Sequence, residues 1–424
     1  MRENKDYLIT EKPSRALLIF SIPMIIGNLF QQAYTIVDSA IVGRYVGETA
    51  LAAVGASYAL TSIFICIAIG GGIGASVIIS HHFGGHNYGR MKTGIRTALL
   101  SFLFISLILG GIGLIFSQQI MEVLNTPADA IDIAVTYLNI YFLGLPFLFM
   151  YNILSSMFNA LGESRIPLYL LIFSSVLNIF LDLYMVAVLN LGVAGAAYAT
   201  FIAQGISAFS DMSRIALPSI LQQSTVSIGM MLVQSVVNSF GTQILAGFSA
   251  AMRIESLCVV PMSAIGNAMS SYTAQNIGAE KEERISQGYR MGNFMIIVIA
   301  VILCLFLEIA HKPLIALFLD NAASSQTIVT GESYLKFIGF FFCMIGFKMA
   351  VDGILRGAGA VRVFTIANLV NLTLRVTIAK FGAPIWGVSM VWYAVPLGWL
   401  ANFLISYGYY RTGKWKEAVS KTVD

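Results

Sequence analysis

Charge is what this 424-residue chain has least of: Asp, Glu, Lys and Arg make up 11% of it, against 57% apolar residues. So few charges cannot cover the surface of a soluble domain of this length, so the soluble globular class is excluded and the polytopic membrane class remains. Cysteine is equally scarce. Cys66, Cys258, Cys304 and Cys343 each lie in an apolar stretch without metal-type spacing, which excludes a disulfide framework and reads as core. A Walker lysine loop and an HExxH pair are missing, so ATP hydrolysis and zinc proteolysis have no support. The chain is not read as an enzyme; it calls for no cofactor and no nucleic-acid partner, and energy must come from an ion gradient. The run Gly70-Gly71-Gly72-Ile73-Gly74 has no strand before it and serves close helix packing rather than a phosphate. His81, His82 and His86 have no carboxylate or Cys beside them, so no metal is expected beyond a possible Na+.

What is present is a succession of long apolar runs. At about 20 residues per span, twelve candidate helices lie near 16–42, 50–80, 93–116, 130–157, 166–189, 193–210, 213–240, 244–274, 289–307, 328–355, 364–381 and 387–410. Residues 1–15 hold Arg2, Lys5, Lys12 and Arg15, and the apolar run that follows is too long for a cleavable signal. About 18 of the 25 Lys and Arg fall at the N-terminus, in alternate loops or in the C-terminal tail, which places both termini in the cytoplasm.

The chain repeats itself. Pro23 matches Pro218, Gly84 and Arg90 match Gly278 and Arg284, Gly162 and Arg165 match Gly359 and Arg362, and Gly192 matches Gly387. Six spans separate matched positions, so both copies run the same way across the membrane. The expected fold is all-α: two parallel-repeat six-helix bundles, residues 1–210 and 211–424, an architecture shared by many transporters. Span six, at about 18 residues of 1.5 Å each, barely crosses before Asp211-Met212-Ser213-Arg214. The join is either unusually tight or has lost residues.

Polar side chains inside spans cost about 2.5–3.5 kcal/mol per Asp and mark function. Asp38 interrupts span one, which also carries Pro23, Gln31, Gln32 and Tyr34; the proline can bend the helix. Asn178 and Asp182 stand at i and i+4 in span five, as do Ala196 and Thr200 in span six, so each pair shares a face. Two carboxylates, an amide oxygen and a hydroxyl can surround a small cation, or the carboxylates can share a proton. In the second copy Gln222, Gln223, Gln234 and Asn238 dot span seven, where no acid takes the place of Asp38, so coupling is expected in the first bundle. Glu255 and Arg375 are candidates for a substrate cavity, and only Arg253 and Arg375 are read as arginines within spans.

Several ordered motifs carry a family resemblance over essentially the whole chain. Val37-Asp38-Ser39-Ala40-Ile41-Val42-Gly43, Ala50-Leu51-Ala52-Ala53-Val54-Gly55, Phe158-Asn159-Ala160-Leu161-Gly162-Glu163-Ser164-Arg165, Leu355-Arg356-Gly357-Ala358-Gly359, Arg253-Ile254-Glu255-Ser256 and Pro396-Leu397-Gly398-Trp399 resemble the multidrug and toxic compound extrusion (MATE) transporters. The likeness is to their bacterial DNA-damage-inducible and multidrug-extrusion branches. It implies the fold of the wider flippase superfamily, and an H+ or Na+ site at Asp38, Asn178, Asp182, Thr200 and the Ala196 carbonyl. Tyr34 and Tyr137 match residues that hydrogen-bond around that site. It further implies a monomer in the bacterial plasma membrane that exports small, often cationic, drugs. Related chains carry a longer charged linker between spans six and seven. A flippase for lipid-linked saccharide or cell-wall precursor on the same fold is the alternative, and it should show several inward arginines.

Overall fold

The apolar runs become helices because lipid leaves the backbone no other partner than itself. A computed structural model describes residues 6–45, 48–123, 131–189, 191, 194–198, 200, 236–237, 242–316 and 325–417. In chain order these give α1 Tyr7–Thr10, α2 Pro13–Tyr45, α3 Glu48–Gly84, α4 Tyr88–Val123, α5 Ile131–Ala160 and α6 Arg165–Asp182. After the expected spans six and seven come α7 Thr242–Gly278, α8 Glu283–Ala316, α9 Ser325–Gly339, α10 Phe342–Gly357, α11 Val361–Thr377, α12 Ala383–Trp386 and α13 Ser389–Thr412. Among the described residues nine helices are long and apolar enough to cross a membrane, or ten if α9 and α10, bent by 54° at their junction, form one span. Most of residues 193–240 lies outside the described residues, including the tight join, Gln222, Gln223, Gln234 and Asn238. The backbone of Asp38 is helical, but its side chain is outside them too.

By internal contacts the chain divides into two units, Ile22–Phe83 with Asn87–Gln223, and Met1–Ser21 with Gly84–His86 and Ser224–Asp424. In the first unit α3, α4 and α5 share a core of Phe64, Phe102, Phe142, Phe149 and their neighbours, with Phe64 and Phe142 meeting edge to face at 5.5 Å. The opposite face of α4 turns Leu100, Phe104, Leu107 and Ile115 outward. With lipid as apolar as leucine, packing rather than hydrophobicity joins the helices, and small residues permit it. In the second unit α7 and α10 approach so closely that a Cβ on Gly353 would strike the Gly266 carbonyl. There too the short α1 is held by polar side chains, with Asn276 Nδ2 3.1 Å from the Leu8 carbonyl and Lys281 Nζ 3.0 Å from that of Ile9.

The repeat is visible in the backbone. Gly162 and Gly359 turn their helices at φ +84° and +70°, a region that suits glycine. Just beyond α6 and α11 the helix widens into a π segment, Leu183–Val188 in one unit and Ile378–Gly382 in the other. One pair of counterparts differs: α5 runs unbroken through Pro146, whereas its partner is the α9–α10 pair with its bend.

Candidate functional site

α6 buries its polar face. Leu171, Ser174, Ser175, Asn178 and Asp182 are its buried residues, while Tyr169, Phe173, Val176 and Phe180 are exposed. A helix arranged this way in lipid keeps its polar groups for the interior of the bundle.

Asn178 and Asp182 meet Thr200 there. With its amide nitrogen toward Asp182, Asn178 donates to Asp182 Oδ2 at 3.2 Å, and its oxygen accepts from Thr200 Oγ1 at 3.3 Å and from the Thr200 backbone N–H at 3.2 Å. With the amide reversed, its nitrogen donates to Thr200 Oγ1 at 3.3 Å and that hydroxyl donates to the Ala196 carbonyl at 3.2 Å. A hydroxyl has one proton, so it cannot donate to Ala196 and Asn178 together. The first arrangement suits an ionised Asp182, which accepts from the amide. The second sets the amide nitrogen against the Thr200 backbone N–H, a donor against a donor, and its oxygen toward Asp182, so it is satisfied only where that carboxyl carries a proton or shares a cation.

The helix of Asp38 reaches the same place. Ile41 packs with Val186 and Ala196, and Tyr137 and Ile179 lie against them. Tyr137 stacks on Tyr141 at 6.5 Å, and Tyr141 donates to the Thr61 carbonyl at 3.2 Å. An open cavity of about 560 Å³, counting the solvent space at its mouth, is lined by Gln31, Tyr34, Ile65, Leu148, Tyr151, Asn152, Leu171, Ser174, Ser175, Asn178 and Thr200. Eight of these eleven side chains are polar, so the cavity leads onto the Asn178–Thr200 pair through amides and hydroxyls. Of the expected residues, Gln31, Tyr34, Asn178 and Thr200 thus share one cavity wall; Gln32 and Pro23 are on α2 but not among its lining. Tyr151, Asn152, Ser174 and Ser175 were not expected. The two serines lie one turn before Asn178, on the face that the Asn178–Asp182 spacing already defines.

In the second unit Glu255 is buried and accepts a 2.7 Å hydrogen bond from Tyr334, with the Arg375 guanidinium in electrostatic reach of both. Arg253, two residues from Glu255, is exposed. A basic group that the sequence reading did not single out, Lys348, lies buried within span ten. A lysine at i with an acid at i+4 can neutralise itself inside a span. Its ammonium is 2.9 Å from Asp352 Oδ2 and 3.0 Å from Asn368 Oδ1.

The MatE family model matches residues 23–184 and again residues 218–380, one match for each copy of the repeat. Over 428 residues the chain is 30% identical to "Probable multidrug resistance protein YpnP" of Bacillus subtilis (strain 168), covering 95% of this chain and 96% of that protein. It is 22% identical to an "FAD transporter" of Shewanella oneidensis, covering 99% of each. Among solved structures, an outward-facing multidrug resistance MATE family transporter of the MOP superfamily superposes with a TM-score of 0.87 at 23% identity, over 99% of this chain and 100% of that one.

Proposed function

The chain belongs to the MatE family of multidrug and toxic compound extrusion transporters, and from that premise we propose that it is a secondary-active exporter of small, often cationic, drugs or toxic compounds driven by inward flow of H+ or Na+. The observation that carries this reading is the polar cavity that ends on Asn178 and Thr200, one helical turn from the buried Asp182. Asp38, Asn178, Asp182, Thr200 and the Ala196 carbonyl make up the coupling site, with Tyr34 and Tyr137 beside it.

The two hydrogen-bond arrangements give the coupling a physical form. When Asp182 is ionised and alone, the Asn178 amide nitrogen turns to it and the Thr200 hydroxyl turns to the amide oxygen. When a proton or Na+ arrives from outside, the amide reverses and Thr200 returns its proton to Ala196. The reversal gives up the bonds to Asp182 and to the Thr200 backbone N–H, each worth about 0.5–1.5 kcal/mol net, and the arriving cation or proton offsets that loss. α2 carries this change toward Pro23, where the missing backbone donor lets the helix bend, and the cavity shrinks around its drug. Pro218 repeats Pro23 at the head of the other unit, so the bend serves the architecture of both halves as well.

The protein acts as a monomer in the bacterial plasma membrane with both termini in the cytoplasm, its two bundles being residues 1–210 and 211–424. The flippase reading has less behind it: among the basic residues of α7, α10 and α11, Arg253 and Arg362 are exposed, Lys348 is engaged by Asp352 and Arg356 by Asn267, which leaves Arg375 as the inward arginine. The experiment is efflux of a fluorescent cation from everted vesicles, with the pH and Na+ gradients collapsed in turn. Asp38→Asn and Asp182→Asn should each abolish ion-driven efflux; if both variants pump as the parent does, the coupling role is wrong.

A further inference from the structure

The repeat allows the two units to be read against each other residue by residue. Tyr137 corresponds to Tyr334, and at the same shift of 197 residues Gly162 corresponds to Gly359. Carrying that shift along the cavity wall of the first unit, Tyr151, Leu171, Ser174 and Asn178 become Lys348, Asn368, Asn371 and Arg375. Where the first unit keeps a neutral, open wall, the second has placed two cations.

One of them is fully engaged. Lys348 Nζ lies 2.9 Å from Asp352 Oδ2 and 3.0 Å from Asn368 Oδ1. Asp352 Oδ1 accepts from Ser406 at 2.7 Å, and Ser406 lies 3.4 Å from Asn402 Oδ1. Lys348, Asp352, Asn368, Asn402 and Ser406 are all buried, and they come from α10, α11 and α13. Chemically this is an ammonium held by a carboxylate and an amide oxygen, with a hydroxyl and a second amide oxygen behind the carboxylate. It is the same kind of donor set as Asp182, Asn178 and Thr200, with an ammonium already inside. It sits in the half-span just past the 54° bend between α9 and α10, and interrupted spans are where transporters place ions.

We propose that Lys348 is a tethered cation that holds the second unit permanently in its cation-loaded state, so that only the first unit responds to the gradient. The ammonium ties α10 to α11, and through Asp352 and Ser406 to α13, a closure that in the first unit lasts only while the transported ion is bound. The proposal rests on the coupling site assigned above to the first unit. Its prediction is that removing the ammonium leaves a set of oxygens that takes up an alkali cation from solution.

The test uses the purified full-length protein and 22Na+ binding at saturation, with Asp182→Asn as the background so that the first unit is silent. Lys348→Met in that background should bind one further Na+ per chain, with a melting temperature higher in NaCl than in choline chloride. Adding Asp352→Asn should remove both effects. A folded Lys348→Met protein that gains no Na+ overturns the proposal, even if Asp352 then shows the infrared band of a protonated carboxyl. Should Lys348→Met unfold, Na+ restores it under the proposal; if Na+ does not, while Lys348→Met/Asp352→Asn folds, the proposal falls. If Asp182→Asn alone leaves ion-driven efflux intact, the coupling site is at fault, and the Na+ count still decides the role of Lys348.

Discussion

Thr200→Val keeps the shape of the residue and deletes its hydroxyl, which makes it the sharpest probe of the first unit. The hydroxyl lies 3.3 Å from the Asn178 amide and 3.2 Å from the Ala196 carbonyl. In the ion-free arrangement its loss deprives the Asn178 oxygen of one of two donors, because the Thr200 backbone N–H remains at 3.2 Å. In the ion-bound arrangement it deprives the Asn178 nitrogen of its acceptor and the Ala196 carbonyl of its donor, and takes away a ligand oxygen. The ion-bound state therefore loses more. A net difference of about 1–2 kcal/mol, one to two hydrogen bonds, corresponds to a factor of about 5–30 in the ion concentration at half-maximal rate. The assay is efflux from proteoliposomes across a series of imposed pH or Na+ gradients. Thr200→Val should shift the half-saturating ion concentration by that factor with little change in the maximal rate, and Thr200→Ser should stay near the parent. A folded Thr200→Val protein whose ion dependence lies within twofold of the parent would remove Thr200 from the site.

Two further outcomes concern the second unit. Tyr334→Phe deletes a 2.7 Å hydrogen bond to the buried Glu255 carboxyl, a loss of about 1.5–3 kcal/mol, and should lower the melting temperature by a few degrees in a thermal-shift measurement. Gly353→Leu places a side chain against the Gly266 carbonyl at the α7–α10 contact. It should reduce the yield of folded, monodisperse protein on size exclusion far more than Gly94→Ala, since nothing lies within 4 Å of a Cβ at Gly94.

The first-unit site was legible because lipid makes polarity conspicuous. Asn178 and Asp182 interrupt an apolar run at a helical spacing, and the structure puts both on the buried face of α6. Gln31 and Tyr34 were readable in the same way, and both line the cavity. The rest of the wall was less visible because Ser174, Ser175 and Asn152 are small, neutral residues that also serve plain helix packing. The Lys348–Asp352 pair was hidden for a different reason. Its charges cancel within one turn, so span ten reads as apolar although it holds an ion pair. The bend between α9 and α10 had no proline to announce it, whereas Pro146 in the matching helix leaves α5 unbroken. Backbone interruptions in lipid follow the packing and polar groups around them as much as the local residue.

The π segments after α6 and α11 carry a consequence for anyone who maps these spans residue by residue. A π turn closes its hydrogen bonds over five residues instead of four, which slips the angular register of everything after it. Leu183–Val188 begins immediately after Asp182. A helical wheel drawn straight through span five therefore assigns its last turns to the wrong side, and so does one drawn through Ile378–Gly382. Leu189 illustrates it: seven residues past the buried Asp182, it falls on the same side of a straight wheel, yet it is exposed. A chemical-labelling scan of these spans reads correctly only when its phase is reset at Asp182 and again at Thr377.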